Sequence, residues 1–120
     1  MAASVLVVDD HPGFRRFACR LLQSAGFSIA DEAEDGASAL AAARRLRPDV
    51  VLLDVLLPDT TGFAVAEELA AEPGAPVVVL SSSRSRSDLG PALARSRARG
   101  FIPKSDLTAA AVTALVGEAT

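Results

Sequence analysis

Val50-Val51-Leu52-Leu53-Asp54 is the stretch that decides the fold: four apolar residues in a row, closed by a carboxylate. A strand with one wet face alternates apolar and polar residues, whereas a strand buried on both faces reads as an unbroken apolar run. The same signature recurs on either side. Upstream, Val5-Leu6-Val7-Val8 ends in Asp9-Asp10. Downstream, Val77-Val78-Val79-Leu80 ends in Ser81, and Phe101-Ile102 ends in Pro103-Lys104. Ser28-Ile29-Ala30 is a weaker fifth run, between Gly26 and an acidic segment that starts at Asp31.

Helical spacing fills the intervals. Phe14, Phe17, Ala18, Leu21, Leu22 and Ala25 follow an i, i+3, i+4, i+7, i+8 stripe, with Gly26 placed to end it. Leu40, Ala43 and Leu46 predict a second helix, capped by Asp35 and stopped before Pro48. Phe63, Ala66, Leu69 and Ala70 predict a third, between Thr60-Thr61 and Pro73-Gly74. A fourth, around Leu89, Leu93 and Arg97, is interrupted by Gly90-Pro91; Leu107, Ala111, Ala114 and Leu115 predict the fifth. Five strands alternating with five helices are the pattern of an α/β parallel sheet with right-handed crossovers.

Composition narrows the function. The chain has 120 residues, 12 Lys+Arg, 15 Asp+Glu and a formal charge of -3, so residues 1–120 are expected to form one domain without the basic stripe of a nucleic-acid-binding module. One cysteine rules out a disulfide framework or a multi-thiol metal site. The N-terminus has no basic segment followed by an apolar stretch, and no run reaches the ~20 residues of a membrane span. A cytoplasmic protein is expected. Lys104 is the single lysine beside eleven arginines. A lone lysine among so many arginines suggests a place where a compact point charge is needed.

In open α/β sheets, ligands bind outside the carboxyl ends of the strands. Asp9, Asp10, Asp54, Ser81 and Lys104 all fall there. Three crowded carboxylates repel one another and call for a cation. An all-oxygen donor set favours a hard ion, and Mg2+ binds through one or two carboxylates plus phosphate oxygens. With an ammonium and a hydroxyl beside it, such a site is equipped to bind a phosphoryl group.

Asp9-Asp10, then Asp54 with Pro58 and Gly62 behind it, then Ser81, then Gly100-Phe101-Ile102-Pro103-Lys104 resemble the receiver domain of two-component response regulators, over essentially the whole chain. Arg99 to Ser105 look most like receivers of the LuxR/NarL type. The resemblance implies a flavodoxin-like (βα)5 fold with strand order 2-1-3-4-5. It implies Asp54 as phospho-acceptor, and Asp9, Asp10, Asp54 and the Leu56 backbone carbonyl as Mg2+ ligands. Ser81, Phe101 and Lys104 become the phosphate-binding and switch residues, with Phe101 filling from an outward position the space that Ser81 vacates. Expected partners are a sensor histidine kinase and, in a longer chain, a DNA-binding output domain that controls transcription. A homodimer would use the face of the fourth helix, fifth strand and fifth helix, or the first and fifth helices. The domain itself should bind neither nucleic acid nor membrane.

Three departures stand out: Leu57 replaces a common Met, Ser105 replaces a common Pro, and Phe101 lacks a tyrosine hydroxyl. Ser82 and Ser83 rival Ser81, and Asp10 also suits a helix cap ahead of Pro12. His11 reads as peripheral, Cys19 as a half-buried thiol, and Arg84 and Arg86 as a solvated face or a contact for an acidic partner. Two other functions are open to this layout. An Asp-nucleophile phosphatase or phosphotransferase would commonly carry a second Asp two residues on, where Leu56 stands. A flavodoxin-like nucleotide or flavin binder would want a glycine-rich loop and a stacking Trp or Tyr, and the chain has neither aromatic.

Overall fold

Four of the five apolar runs become strands with cover on both sides. In the computed structural model, which describes residues 2–117, the elements are β1 (Ser4–Val8), α1 (Pro12–Ser24), β2 (Ser28–Ala33), α2 (Gly36–Leu46), β3 (Val50–Asp54), α3 (Gly62–Ala70), β4 (Val77–Ser82), α4 (Arg86–Leu89), α5 (Pro91–Arg95), β5 (Gly100–Pro103), a 3-10 turn (Lys104–Asp106) and α6 (Ala109–Val116). The strands pair in parallel in the order β2-β1-β3-β4-β5. This is the expected flavodoxin-like sheet, with β3 at its centre.

Successive residues of β1, β3, β4 and β5 serve opposite layers. Val5, Val7, Val50, Leu52, Val79 and Ile102 pack with Ala18 and Leu22 of α1 and Val112 and Val116 of α6. Leu6, Val8, Val51, Leu53, Leu80 and Phe101 pack with Ala39, Ala42 and Ala43 of α2 and Val65, Ala66 and Leu69 of α3. All five residues of β3 are buried. Each Val or Leu so covered contributes about 1.5–3 kcal/mol of hydrophobic stabilisation.

Several expectations about the elements need correction, the helical places of Arg97 and Leu107 among them: Arg97 lies beyond α5 and Leu107 before α6. Ser28-Ile29-Ala30 continues to Ala33 through Asp31 and Glu32, because β2 is an edge strand with half its face in water. The fourth helix is two pieces, so the described residues form six α-helices: Gly90 takes φ +58° and Pro91 starts a new turn. Phe17, placed on the apolar stripe of α1, is 50% exposed, because the buried line runs through Ala18 and Leu22. Helix α2 starts on Asp35 and α3 ends before Pro73-Gly74, both as the sequence suggests. The Lys104–Ser105 peptide is trans. Among the described residues, no helix is long and apolar enough to cross a membrane.

Candidate functional site

Strand order delivers the polar residues to one edge. Asp54 is the last residue of β3 and pairs in register with Ser81 of β4; Asp9 follows β1 on its other side. With β3 central, its end looks onto the ends of both neighbours. Asp9 is 1% and Asp54 5% exposed, whereas Asp10 lies further out at the rim. One ligand atom from each of Asp9, Asp10, His11 and Asp54 falls within 4.8 Å of the others. The cleft beside them, about 250 Å³, is lined by Asp10, His11, Asp54, Leu56, Leu57, Pro58, Ser82, Ser83 and Lys104.

Lys104, in the turn after β5, reaches into this cluster. Its Nζ is 2.7 Å from Asp9 Oδ2 and 3.6 Å from Asp54 Oδ2, so Asp9 is its primary partner. The ammonium also lies 4.4 Å from the centre of the Phe14 ring, which gives it a second attractive contact. One ammonium shared between two carboxylates leaves Asp54 under-compensated. Burial, and after it the Asp9 charge, push the Asp54 carboxyl up to about 6, against the weaker pull of Lys104. Excess negative charge on three neighbouring carboxylates is the environment that suits a hard divalent cation.

The neighbouring groups have defined partners. His11 N–H donates to Asp9 Oδ1 at 2.8 Å, and its ring Nδ1 stands 3.1 Å from carboxylate oxygens of both Asp9 and Asp10. His11 therefore touches the cluster instead of standing apart from it. Arg15 Nη1 donates to the Asp9 carbonyl at 2.6 Å, while its Nε bonds Glu32. Leu56 N–H donates to Asp54 Oδ1 at 3.4 Å. A Cβ at Gly62 would collide with the Asp54 carbonyl oxygen, so α3 starts against the end of β3 only because that residue is glycine.

Ser81 and Ser82 are both 1% exposed but differ in partners. Ser82 Oγ accepts from Arg84 N–H, while Ser81 Oγ is buried without a hydrogen-bond partner. An orphaned buried hydroxyl costs about 1–3 kcal/mol and marks a donor available to an incoming acceptor. Phe101 is 3% exposed, already turned inward against the layer of α2 and α3. The outward position expected of it is not the one found. Arg86 holds it there: its Nη2 donates to the Phe101 carbonyl at 2.9 Å and its guanidinium lies 5.4 Å from the ring centre. Cys19 is half-buried as expected, with burial and Glu32 pushing its thiol up to about 11.

Sequence reasoning missed Phe14, Arg15 and Arg86 as neighbours of the site. Phe14 lay on an apolar stripe, Arg86 read as a solvated face or a contact for an acidic partner, and Arg15 drew no reading; pairwise proximity leaves no periodic trace.

Comparison with known proteins follows the same line. A family model of the response regulator receiver domain matches residues 5–115. The transcriptional regulatory protein TcrX of Mycobacterium tuberculosis is 48% identical over 86 residues, 71% of this chain and 36% of that protein. A transcriptional regulator of Pseudomonas aeruginosa is 34% identical over 119 residues, 96% of this chain and 58% of that protein. The chain thus spans well under two thirds of these relatives. Among solved structures, the receiver domain of NarL from Mycobacterium tuberculosis aligns with a TM-score of 0.82 and 32% identity, covering 98% of each chain. A chain of the CheX–CheY–BeF3–Mg2+ complex from Borrelia burgdorferi aligns at 0.82 and 27% identity, covering 95% of this chain and 86% of that one.

Proposed function

The chain belongs to the response regulator receiver domain family, and on that premise we propose that residues 1–120 act as one phosphorylation-controlled signalling switch with Asp54 as acceptor. The observation that carries this reading is the pairing of two features at one sheet edge. One is a nucleophilic carboxylate inside a cluster of negative charge. The other is a buried hydroxyl, Ser81, on the adjacent strand with no partner of its own.

With a carboxyl near 6, Asp54 is mostly ionised at neutral pH and available as a nucleophile. Its oxygen attacks the phosphorus of a phosphohistidine on a sensor histidine kinase. The new P–O bond forms as the P–N bond breaks, and the imidazole leaves with that electron pair and takes up a proton. Asp9, Asp10, Asp54 and the Leu56 carbonyl would hold Mg2+, which when bound neutralises charge on the phosphoryl oxygens. The Borrelia complex contains BeF3 together with Mg2+, which supports a divalent cation acting with a phosphoryl group in a chain of this fold.

The product acyl phosphate brings about -1.5 to -2 charge and three acceptor oxygens. Lys104 then shifts from the Asp9 carboxylate to those oxygens, and Ser81 donates its hydroxyl to one of them. Because Phe101 is inward beforehand, the response is a tightening of the β4–α4 segment and β5 around a ring already seated. It remodels the face of α4, α5, β5 and α6 as a population shift. That face, or α1 with α6, serves a homodimer or a DNA-binding output domain in a cytoplasmic regulator of transcription.

Acetyl phosphate with Mg2+ should add one phosphate per chain by intact-protein mass spectrometry, and Asp54→Asn should take none. Full labelling of that variant refutes the acceptor assignment. Repeated hydrolysis of a phosphate ester by the native chain would make it an enzyme rather than a switch.

A further inference from the structure

The loop from Leu56 to Thr61 carries the carbonyl just assigned to the metal, and its ends are tied to the sheet. Val55 N–H donates to the Ser81 carbonyl at 2.9 Å, and Gly62 N–H to the Val55 carbonyl at 2.7 Å. Within the loop, Leu57 N–H donates to the Thr60 carbonyl at 3.1 Å, and Leu56 faces Thr61 across a single antiparallel bridge. The tip is held from outside by a side chain of its own. The Asp59 carboxylate crosses to α2, where Oδ1 accepts from Gly36 N–H at 2.8 Å and Oδ2 from Ala37 N–H at 3.0 Å.

The first amides of a helix need acceptors from outside it. Here two carboxylates divide them: Asp35, the local cap, takes Ser38 N–H at 2.8 Å, and Asp59 takes the two before it from 22 and 23 residues away. Gly36 shows how closely the loop is seated. A Cβ there would collide with Thr60 Cγ2 and stand 3.3 Å from Asp59 Oδ1. The first turn of α2 is bare where the loop tip lies on it. The same two N–H groups hold the Asp59 carboxyl below its ordinary value, so the bond is made by the charged form.

We propose that Asp59 is a positioning residue: by pinning the loop tip to α2 it sets where the Leu56 carbonyl stands beside Asp54, and so sets the affinity of the acidic cluster for a divalent cation. This rests on the reading of Leu56 as a ligand. Groups that orient ligands without touching the metal alter affinity by about 10–100-fold when removed; a pin on a single backbone ligand belongs at the low end.

The test titrates the full chain with Mg2+, following the Asp10 and Leu56 amide resonances. Asp59→Ala should raise the midpoint about tenfold, with Asp59→Asn, which keeps one acceptor oxygen, in between. Labelling by acetyl phosphate should need correspondingly more Mg2+ yet reach a near-native rate at saturation. Asp35→Ala removes the other cap of the same helix without touching the loop. It should lower the melting temperature comparably and leave the Mg2+ midpoint native. In metal-free protein, Leu57 N–H should exchange faster in Asp59→Ala than in Asp35→Ala. Native titration by Asp59→Ala, an equal midpoint shift in Asp35→Ala, or equal exchange at Leu57 overturns the proposal. A native chain that takes neither Mg2+ nor phosphate overturns the functional reading instead, and the exchange comparison still decides whether Asp59 pins the loop.

Discussion

Asp54→Asn should make the metal-free protein more stable, and by an amount that depends on pH. The Asp54 carboxyl moves from 3.8 to about 6 on folding, chiefly through burial and then through the Asp9 charge. The folded state therefore binds this proton more tightly than the unfolded chain does. Below 3.8 the group is neutral in both states and costs nothing. Between 3.8 and about 6 the unfolded chain has lost a proton that the fold still holds, and stability falls as pH rises. Above that window the loss is constant. A shift of about two units corresponds to about 3 kcal/mol at about 1.4 kcal/mol each. Water at the mouth of the cleft screens part of it, leaving about 2 kcal/mol. Asparagine keeps the shape and the acceptor for Leu56 N–H but carries no charge. At about pH 7 the variant should melt about 8 °C higher than the native protein, and the gap should close as the pH is lowered toward 3.8. Mg2+ should narrow it from the other side, by stabilising only the native chain. Circular-dichroism melts across that range, with and without Mg2+, make the measurement. A gap that does not change with pH, or a variant less stable at neutral pH, refutes the reasoning.

Lys104→Met should destabilise the protein by about 2–3 kcal/mol, because it strips the counter-ion from a carboxylate that is 1% exposed; Mg2+ should restore part of the loss, and a native melt would remove the pair from the account. Gly62→Ala pushes a methyl into the Asp54 carbonyl and within 3.0 Å of Val55 Cα, backbone that cannot swing aside. It should cost about 1–3 kcal/mol and slow labelling by acetyl phosphate, and a native rate and melt would contradict that. Arg86→Ala deletes one hydrogen bond and the cation over the ring, together about 1–2 kcal/mol. The Phe101 ring resonances should broaden or move, and an unchanged ring spectrum would show that Arg86 does not hold it.

The sheet was legible because unbroken apolar runs have few other uses, and the acidic cluster because strand ends converge by topology. Asp9, Asp10, Asp54 and Lys104 were found from their positions at the ends of runs, with no knowledge of a contact. What stayed hidden depends on pairwise geometry. Nothing in the sequence says that Lys104 favours Asp9 over Asp54. Asp59 drew no reading at all, since its partners lie 22 and 23 positions earlier. The inward turn of Phe101 is a choice between two packings of one side chain, which hydrophobicity alone leaves open. Phe17 shows the limit of periodicity: the pattern gives the width of the apolar stripe but not how much of it the sheet covers.

The break at Gly90-Pro91 has a consequence for how this molecule is read by others. A four-residue helix and a five-residue helix are each far too short to sustain themselves, since helix formation has an unfavourable nucleus. A long helix would move as a rod, transmitting any displacement at its first turn to its last. Two short ones, meeting at a left-handed glycine, can exchange conformations separately. Leu89 and Leu93 anchor one piece each against the core. The half beside Arg86 can follow events at the strand ends while the half carrying Arg95 answers to whatever docks on it. A surface built this way deforms at small expense, so a protein docking on it would meet two adjustable pieces and not one rigid rod.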